Sequence, residues 1–127
     1  MAGNLTDYLE NKLLDHFLGT TAYTSPAAVY VGLFTVAPSD AGGGTEVTGG
    51  SYARQAATFT SAASGATSND TNIDFTGMPA TTTVAIGIFD DVASGNMLLY
   101  GTLTTNKTTD AGDTLRIATG DLDISID

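Results

Sequence analysis

Two apolar runs separated by a short gap constrain this chain more than any other feature. Residues 83–90 (TVAIGIFD) and 96–104 (NMLLYGTLT) are rich in strand-forming types, with 91–95 (DVASG) between them. Gly95, closing the gap, supplies the positive φ that a tight reversal needs, so the two runs read as a hairpin. Neither run alternates strictly between apolar and polar residues, the pattern of strands covered on most of both faces. The expectation is a hairpin at the centre of a sheet, with the other strands arranged around it.

Upstream, residues 4–18 carry the one helical pattern. Leu5, Tyr8, Leu9, Leu13 and Phe17 recur at three- and four-residue spacing as one apolar stripe, and Leu14 and Leu18 widen it. Asn4 or Thr6 is placed to cap the start, Asp7 and Glu10 suit the positive end, and His16 lies near the negative end. Gly19 is the expected stop. Residues 1–19 therefore read as a helix packing on the domain or on a neighbouring subunit.

Residues 27–36 (AAVYVGLFTV) predict a strand. Val29, Val31 and Leu33 fall on one face; Tyr30 and Phe34 fall on the other, flanking Gly32. Aromatics on either side of a glycine predict close approach by another ring or backbone. The glycine-rich residues 41–50 (AGGGTEVTGG) predict an exposed, mobile loop, and Arg54 is placed to pair with a carboxylate at its base. Residues 51–60 read as a strand, 61–72 as a polar loop, 73–75 as a short strand and 105–112 as a loop. Residues 113–118 and 121–127 are expected to pair with each other across Thr119-Gly120. Leu122, Ile124 and Ile126 then point inward, with Asp121, Asp123, Ser125 and Asp127 to solvent.

About seven strands separated by turn signals predict a mainly β protein, an antiparallel, jelly-roll-like β-sandwich with one N-terminal α-helix, built as a single domain over 1–127. There is no βαβ alternation and no heptad run.

The chemistry is constrained by what is scarce. Four basic residues stand against 14 acidic ones, a formal charge of −10 that repels phosphate backbones and anionic lipid. Neither nucleic acid nor membrane is the expected partner; a basic protein surface suits better. No run approaches the ~20 apolar residues of a membrane span, and no basic-then-apolar leader is visible, so synthesis and folding in the cytosol are expected. One histidine and no cysteine leave no nucleophile triad with a G-x-S-x-G elbow and no ordinary zinc set. No cofactor is expected. Asp90-Asp91, Asp110 with Asp113, and Asp121 with Asp123 offer the oxygen donors that calcium takes, but in no EF-hand spacing, so they read first as solvated turn and edge residues.

With these residues in view, a family resemblance can be stated. The LENKLLDHFLG helix, the VYVGLFTVAPSDAGGGTEVTGGSYARQAATF stretch, IGIFDDVASGNMLLYGTL and the closing GDTLRIATGDLDISID together resemble small virion structural proteins of tailed bacteriophages, often labelled tail fibre or minor structural proteins. The resemblance implies a non-enzymatic protein made in the host cytoplasm and carried in the virion. Its partners would be other virion proteins, with homo-oligomers on the particle. It would act as a capsid decoration or as a tail, collar or fibre component, the alternative being a module for host-surface carbohydrate. Leu5, Tyr8, Leu9, Leu13, Phe17, Tyr30 and Phe34 are the expected subunit-contact residues.

Overall fold

The sheet forms around the expected hairpin. The computed structural model describes residues 4–126. These run β1 (Asn4–Leu5), α1 (Asp7–Phe17), β2 (Val29–Val36), β3 (Thr45–Glu46), β4 (Gln55–Ala57), β5 (Ala66–Ser68), β6 (Ile73–Met78), β7 (Thr81–Phe89), β8 (Met97–Thr109), β9 (Asp113–Ile117) and β10 (Asp123–Ser125). β7 and β8 pair antiparallel, with Ile86 opposite Gly101 and Ile88 opposite Leu99. β2 lies on the other side of β7, β1 covers one end of β8, and β3 and β4 sit end to end along the far edge of β2. A second layer holds two more antiparallel pairs, β6–β9 and β5–β10.

Strand alternation makes the core. Val31 and Leu33 of β2 and Ile86 and Ile88 of β7 share a face and meet Ile73, Phe75, Leu115, Leu122 and Ile124 from the second layer. The result is the mainly β, antiparallel, sandwich-like fold expected, with its one described helix near the N-terminus and ten described strands rather than about seven. The chain passes between layers three times, from β4 to β5, from β6 to β7 and from β8 to β9. At the first crossing, Ala57 pairs with Val29 in the main sheet, and two residues later Phe59 bridges Asn69 beside β5.

The helix starts at Asp7, not Asn4, because residues 4–5 pair with Tyr100 and Leu99 of β8. Thr6 is the cap. Its hydroxyl accepts the Leu9 N–H at 3.4 Å and donates to the Met97 carbonyl at 2.7 Å, tying the start of α1 to the start of β8. Gly19, at φ +84°, ends the helix as expected, with the Thr20 N–H donating to the Asp15 carbonyl at 3.0 Å.

Five expectations need correction. Residues 113–118 and 121–127 do not pair with each other; β9 pairs with β6 and β10 with β5. The cause is Asn69, which enters the turn between them. Its side chain donates to the Ala118 and Thr71 carbonyls and accepts the Leu122 N–H, while its own carbonyl takes the Gly120 N–H. Ile126 lies past the end of β10 and faces solvent, although Leu122 and Ile124 are buried as expected.

The 41–50 stretch is anchored rather than free. β3 pairs with the edge of β2, and Val47 is buried, its N–H donating to the Leu33 carbonyl at 2.9 Å. In the extended backbone there, Glu46 and Val47 necessarily point to opposite faces, one to an ion pair and the other to the core. Residues 61–72 include β5. Residues 105–109 extend β8, with Thr81–Thr83 opposite Thr109–Lys107. Threonine favours such a pleated position, and the Thr82 and Thr108 hydroxyls meet at 3.0 Å. Between the two halves of β8, the four residues 103–106 stand opposite the single Val84, an extended irregular bulge.

Candidate functional site

The face of the main sheet turned away from the core is also built up. Phe34 and Phe89 stack with centroids 6.1 Å apart over Gly32 and Gly87. A Cβ on Gly32 would come within 3.1 Å of the Phe89 ring, and one on Gly87 within 3.0 Å of both rings. The close approach expected at Gly32 is thus real, and the glycines are there because any side chain would displace the rings.

Arg54 closes this layer from above. Its guanidinium carbon sits 3.4 Å from the Phe89 ring centroid. Nε and Nη2 reach Glu46 Oε1 and Oε2, each at 2.9 Å, while Nη1 donates to the Ser94 carbonyl at 2.7 Å and the Asp91 carbonyl at 3.2 Å. The carboxylate at the base of the glycine-rich stretch is therefore present, but the Arg54 side chain is only 10% exposed. It is a structural clamp between the 41–50 segment and the hairpin turn rather than a surface pair.

Tyr52 completes the clamp. Its hydroxyl donates to Glu46 Oε1 at 2.8 Å and accepts the Leu33 N–H at 2.8 Å. Burial, with the Glu46 carboxylate adding to it, pushes the Tyr52 phenol well above its ordinary value of 10.0. The sign follows: the unfolded chain releases this proton near pH 10, whereas the native chain keeps it, so stability falls as pH rises past 10. Tyr52→Phe is expected to flatten that alkaline decline while lowering stability at neutral pH by about 1 kcal/mol, measured by urea unfolding at pH 7 and pH 10.5.

Beside the clamp, a groove runs between α1 and the 90–96 turn. One depression of about 360 Å3 is lined by Tyr8, Tyr23, Pro26, Asp90, Asp91 and Asn96. A second, of about 430 Å3, shares Tyr8 and Asn96 and continues past Asp7 and Asp40 to Met97. Asp90 shapes the turn by accepting the Asn96 backbone N–H at 2.7 Å and its side-chain amide at 3.0 Å. Burial raises the Tyr23 phenol, and neighbouring Tyr8 and Asp90 raise it further. His16 accepts the Tyr23 N–H on Nδ1 at 3.1 Å and so ties the segment after the helix back to α1.

The expected subunit-contact residues separate into three groups. Leu9 and Phe34 are taken up by the chain's own packing, since Leu9 is buried and Phe34 is stacked beneath Phe89. Leu5, Tyr8, Leu13 and Tyr30 are half-buried. Phe17 stands 74% exposed, joined by Leu14 and Leu18. With Leu9 resting inward, the 3.6-residue period turns Leu14 and Leu18, the residues that widen the stripe, outward; Phe17 belongs to the stripe itself and stands exposed as the last residue of the helix.

The acidic pairs considered for calcium serve local turns. Asp113 accepts the Asp110 N–H at 2.8 Å, while Asp121 and Asp123 face solvent. Among the described residues, no three metal-ligating side chains gather.

The wider relationship of this fold comes from one match. A family model described as podophage GP4 fiber I protein gp80 matches residues 4–125, taking in α1 and all ten described strands. The chain belongs to the Gp80 family. It is thus a structural protein of a bacteriophage virion by family, as the resemblance implied. The clamp, the groove and the exposed end of α1 all lie inside the Gp80 match. No curated protein matches the chain. No described helix is long and apolar enough to cross a membrane.

Proposed function

We propose that this protein is a non-enzymatic, globular component of the phage fibre or tail apparatus that acts by docking onto neighbouring virion proteins. The observation that carries this reading is the apolar end of α1. Leu14, Phe17 and Leu18 are 57%, 74% and 79% exposed and lie together at the end of α1, whereas the other exposed large apolar residues, Val36, Val92 and Ile126, are scattered along the chain. Three large apolar side chains held in water on a capped helix favour burial against a partner, at roughly 25 cal/mol per Å2 covered.

Because these side chains contribute little to the chain's own packing, Phe17→Asp with Leu18→Asp should leave the melting temperature within a few degrees of wild type. The same variant is expected to be depleted severalfold from purified particles, quantified by mass spectrometry of the virion. Undiminished incorporation would refute this docking surface.

A second reading has its own support. The Tyr8–Tyr23 groove presents phenol rings beside the fixed Asp90–Asn96 pair, an arrangement suited to a host-surface sugar. Binding of the purified protein to a glycan array, lost in Tyr23→Ala, would favour it.

A further inference from the structure

We infer that His16 is an acid-sensitive latch on the wall of the groove: neutral, it holds Tyr23 in place beside Asp90, and protonated, it lets Tyr23 go. The latch is a property of the chain alone, independent of what the groove binds.

One ring nitrogen makes the hold. His16 Nδ1 accepts the Tyr23 N–H at 3.1 Å. A ring nitrogen accepts only while it carries no proton, so this bond requires the neutral imidazole with its hydrogen on Nε2. The Phe17 ring, edge-on with its centroid 5.6 Å away, sets the position of the imidazole. Little else fixes the segment. The Thr20 and Thr21 N–H groups bond the Asp15 carbonyl, but past them, among the described residues, no other hydrogen bond holds residues 22–26. Tyr23 nevertheless lines the depression of about 360 Å3 together with Tyr8, Asp90 and Asn96. Half of that aromatic wall therefore hangs on an acceptor that acid removes.

The surroundings let the proton arrive. His16 is exposed and sits in the last turn of α1, where the negative end of the helix favours a cation. On the same helix, the neighbouring Asp15 attracts a positive charge, while Lys12, one turn back, lies 5.6 Å over the Tyr8 ring. The segment after the helix brings the Tyr23 phenol, raised by burial and then by Tyr8 and Asp90, so it stays protonated. The hairpin turn brings Asp90 and Asp91 to the groove. Imidazole changes charge between about pH 5 and 8 and carboxylates near pH 4, so in mild acid His16 is the group that switches. The sign follows from the neutral form being the one that accepts: the hold is present at pH 8 and fades toward pH 5. A ligand packing on both phenol rings then binds more tightly at pH 8 than at pH 5.

His16 is the chain's one histidine, which makes the test direct. Backbone NMR relaxation of the full chain is measured at pH 8 and pH 5. The Tyr23 amide order parameter is expected to fall from the ~0.85 of rigid backbone to below ~0.6, while amides of β7 stay rigid at both pH values. His16→Asn hangs an acceptor oxygen from Cγ, as Nδ1 hangs in histidine, and does not titrate; Tyr23 should stay ordered in it at both pH values. His16→Phe keeps a ring but no acceptor, and Tyr23 should be loose in it at both. A wild type whose Tyr23 is as ordered at pH 5 as at pH 8 overturns the inference. So does a His16→Asn variant that loosens in acid as the wild type does, since another group would then be the switch.

Discussion

Asn69→Ala is expected to be the most damaging single truncation of a polar side chain in this protein, lowering unfolding free energy by about 3 kcal/mol or more. Asn69 is 1% exposed and makes three side-chain hydrogen bonds: to the Thr71 carbonyl at 2.8 Å, to the Ala118 carbonyl at 3.0 Å and from the Leu122 N–H at 2.9 Å. Alanine removes all three at once and strands the buried Leu122 N–H without an acceptor, while the Ala118 carbonyl keeps the Asp121 N–H at 3.0 Å. Each orphaned group costs about 1–3 kcal/mol. Against the roughly 5–15 kcal/mol that holds a typical domain together, that is a large share of the stability. Asn69→Asp discriminates the mechanism, because it keeps the acceptor for Leu122 but loses both donors and sets a carboxylate against two carbonyls. It should be no better than alanine at pH 7. Urea unfolding measures both variants; a loss below 1 kcal/mol for Asn69→Ala would show that the turn re-forms without its pin.

That residue also marks where the sequence stops being readable. Periodicity located the central hairpin, β2 with its two faces, the helix with its stop, and the inward Leu122 and Ile124, because these depend on local pattern and burial. It could not supply strand partners. β9 and β10 look like a hairpin across Thr119-Gly120, and only the arrival of Asn69, about fifty positions away, gives that turn's hydrogen bonds another destination. Composition misled in a second way. The three glycines at 42–44 suggested an excursion, yet the backbone they release is drawn in by two ordinary residues just after them, Glu46 and Val47. The contact surface was legible in part. The helical stripe was visible, but which side of it faces outward depends on Leu9 meeting the body of the protein, a tertiary fact.

Arg54 is the one basic residue whose removal should unsettle both the 41–50 segment and the hairpin turn. Four hydrogen bonds and the Phe89 ring converge on its guanidinium, so Arg54→Met, of similar length and apolar, is expected to cost about 3 kcal/mol. Most of that cost comes from what is left behind. Glu46, 26% exposed, loses its bidentate partner, and the Ser94 carbonyl loses its donor. Arg54→Lys should recover less than half, since one ammonium cannot span the carboxylate and the two turn carbonyls together. Adding Glu46→Gln to Arg54→Met removes the stranded charge, so the double variant should be less destabilised than the two single losses summed, by about 1 kcal/mol or more. Hydrogen exchange gives the local reading: amides in 42–47 and 91–96 should lose protection in Arg54→Met, while those of β6 and β9 keep theirs. If all four segments lost protection equally, Arg54 would be holding up the whole sandwich rather than fastening one end of it.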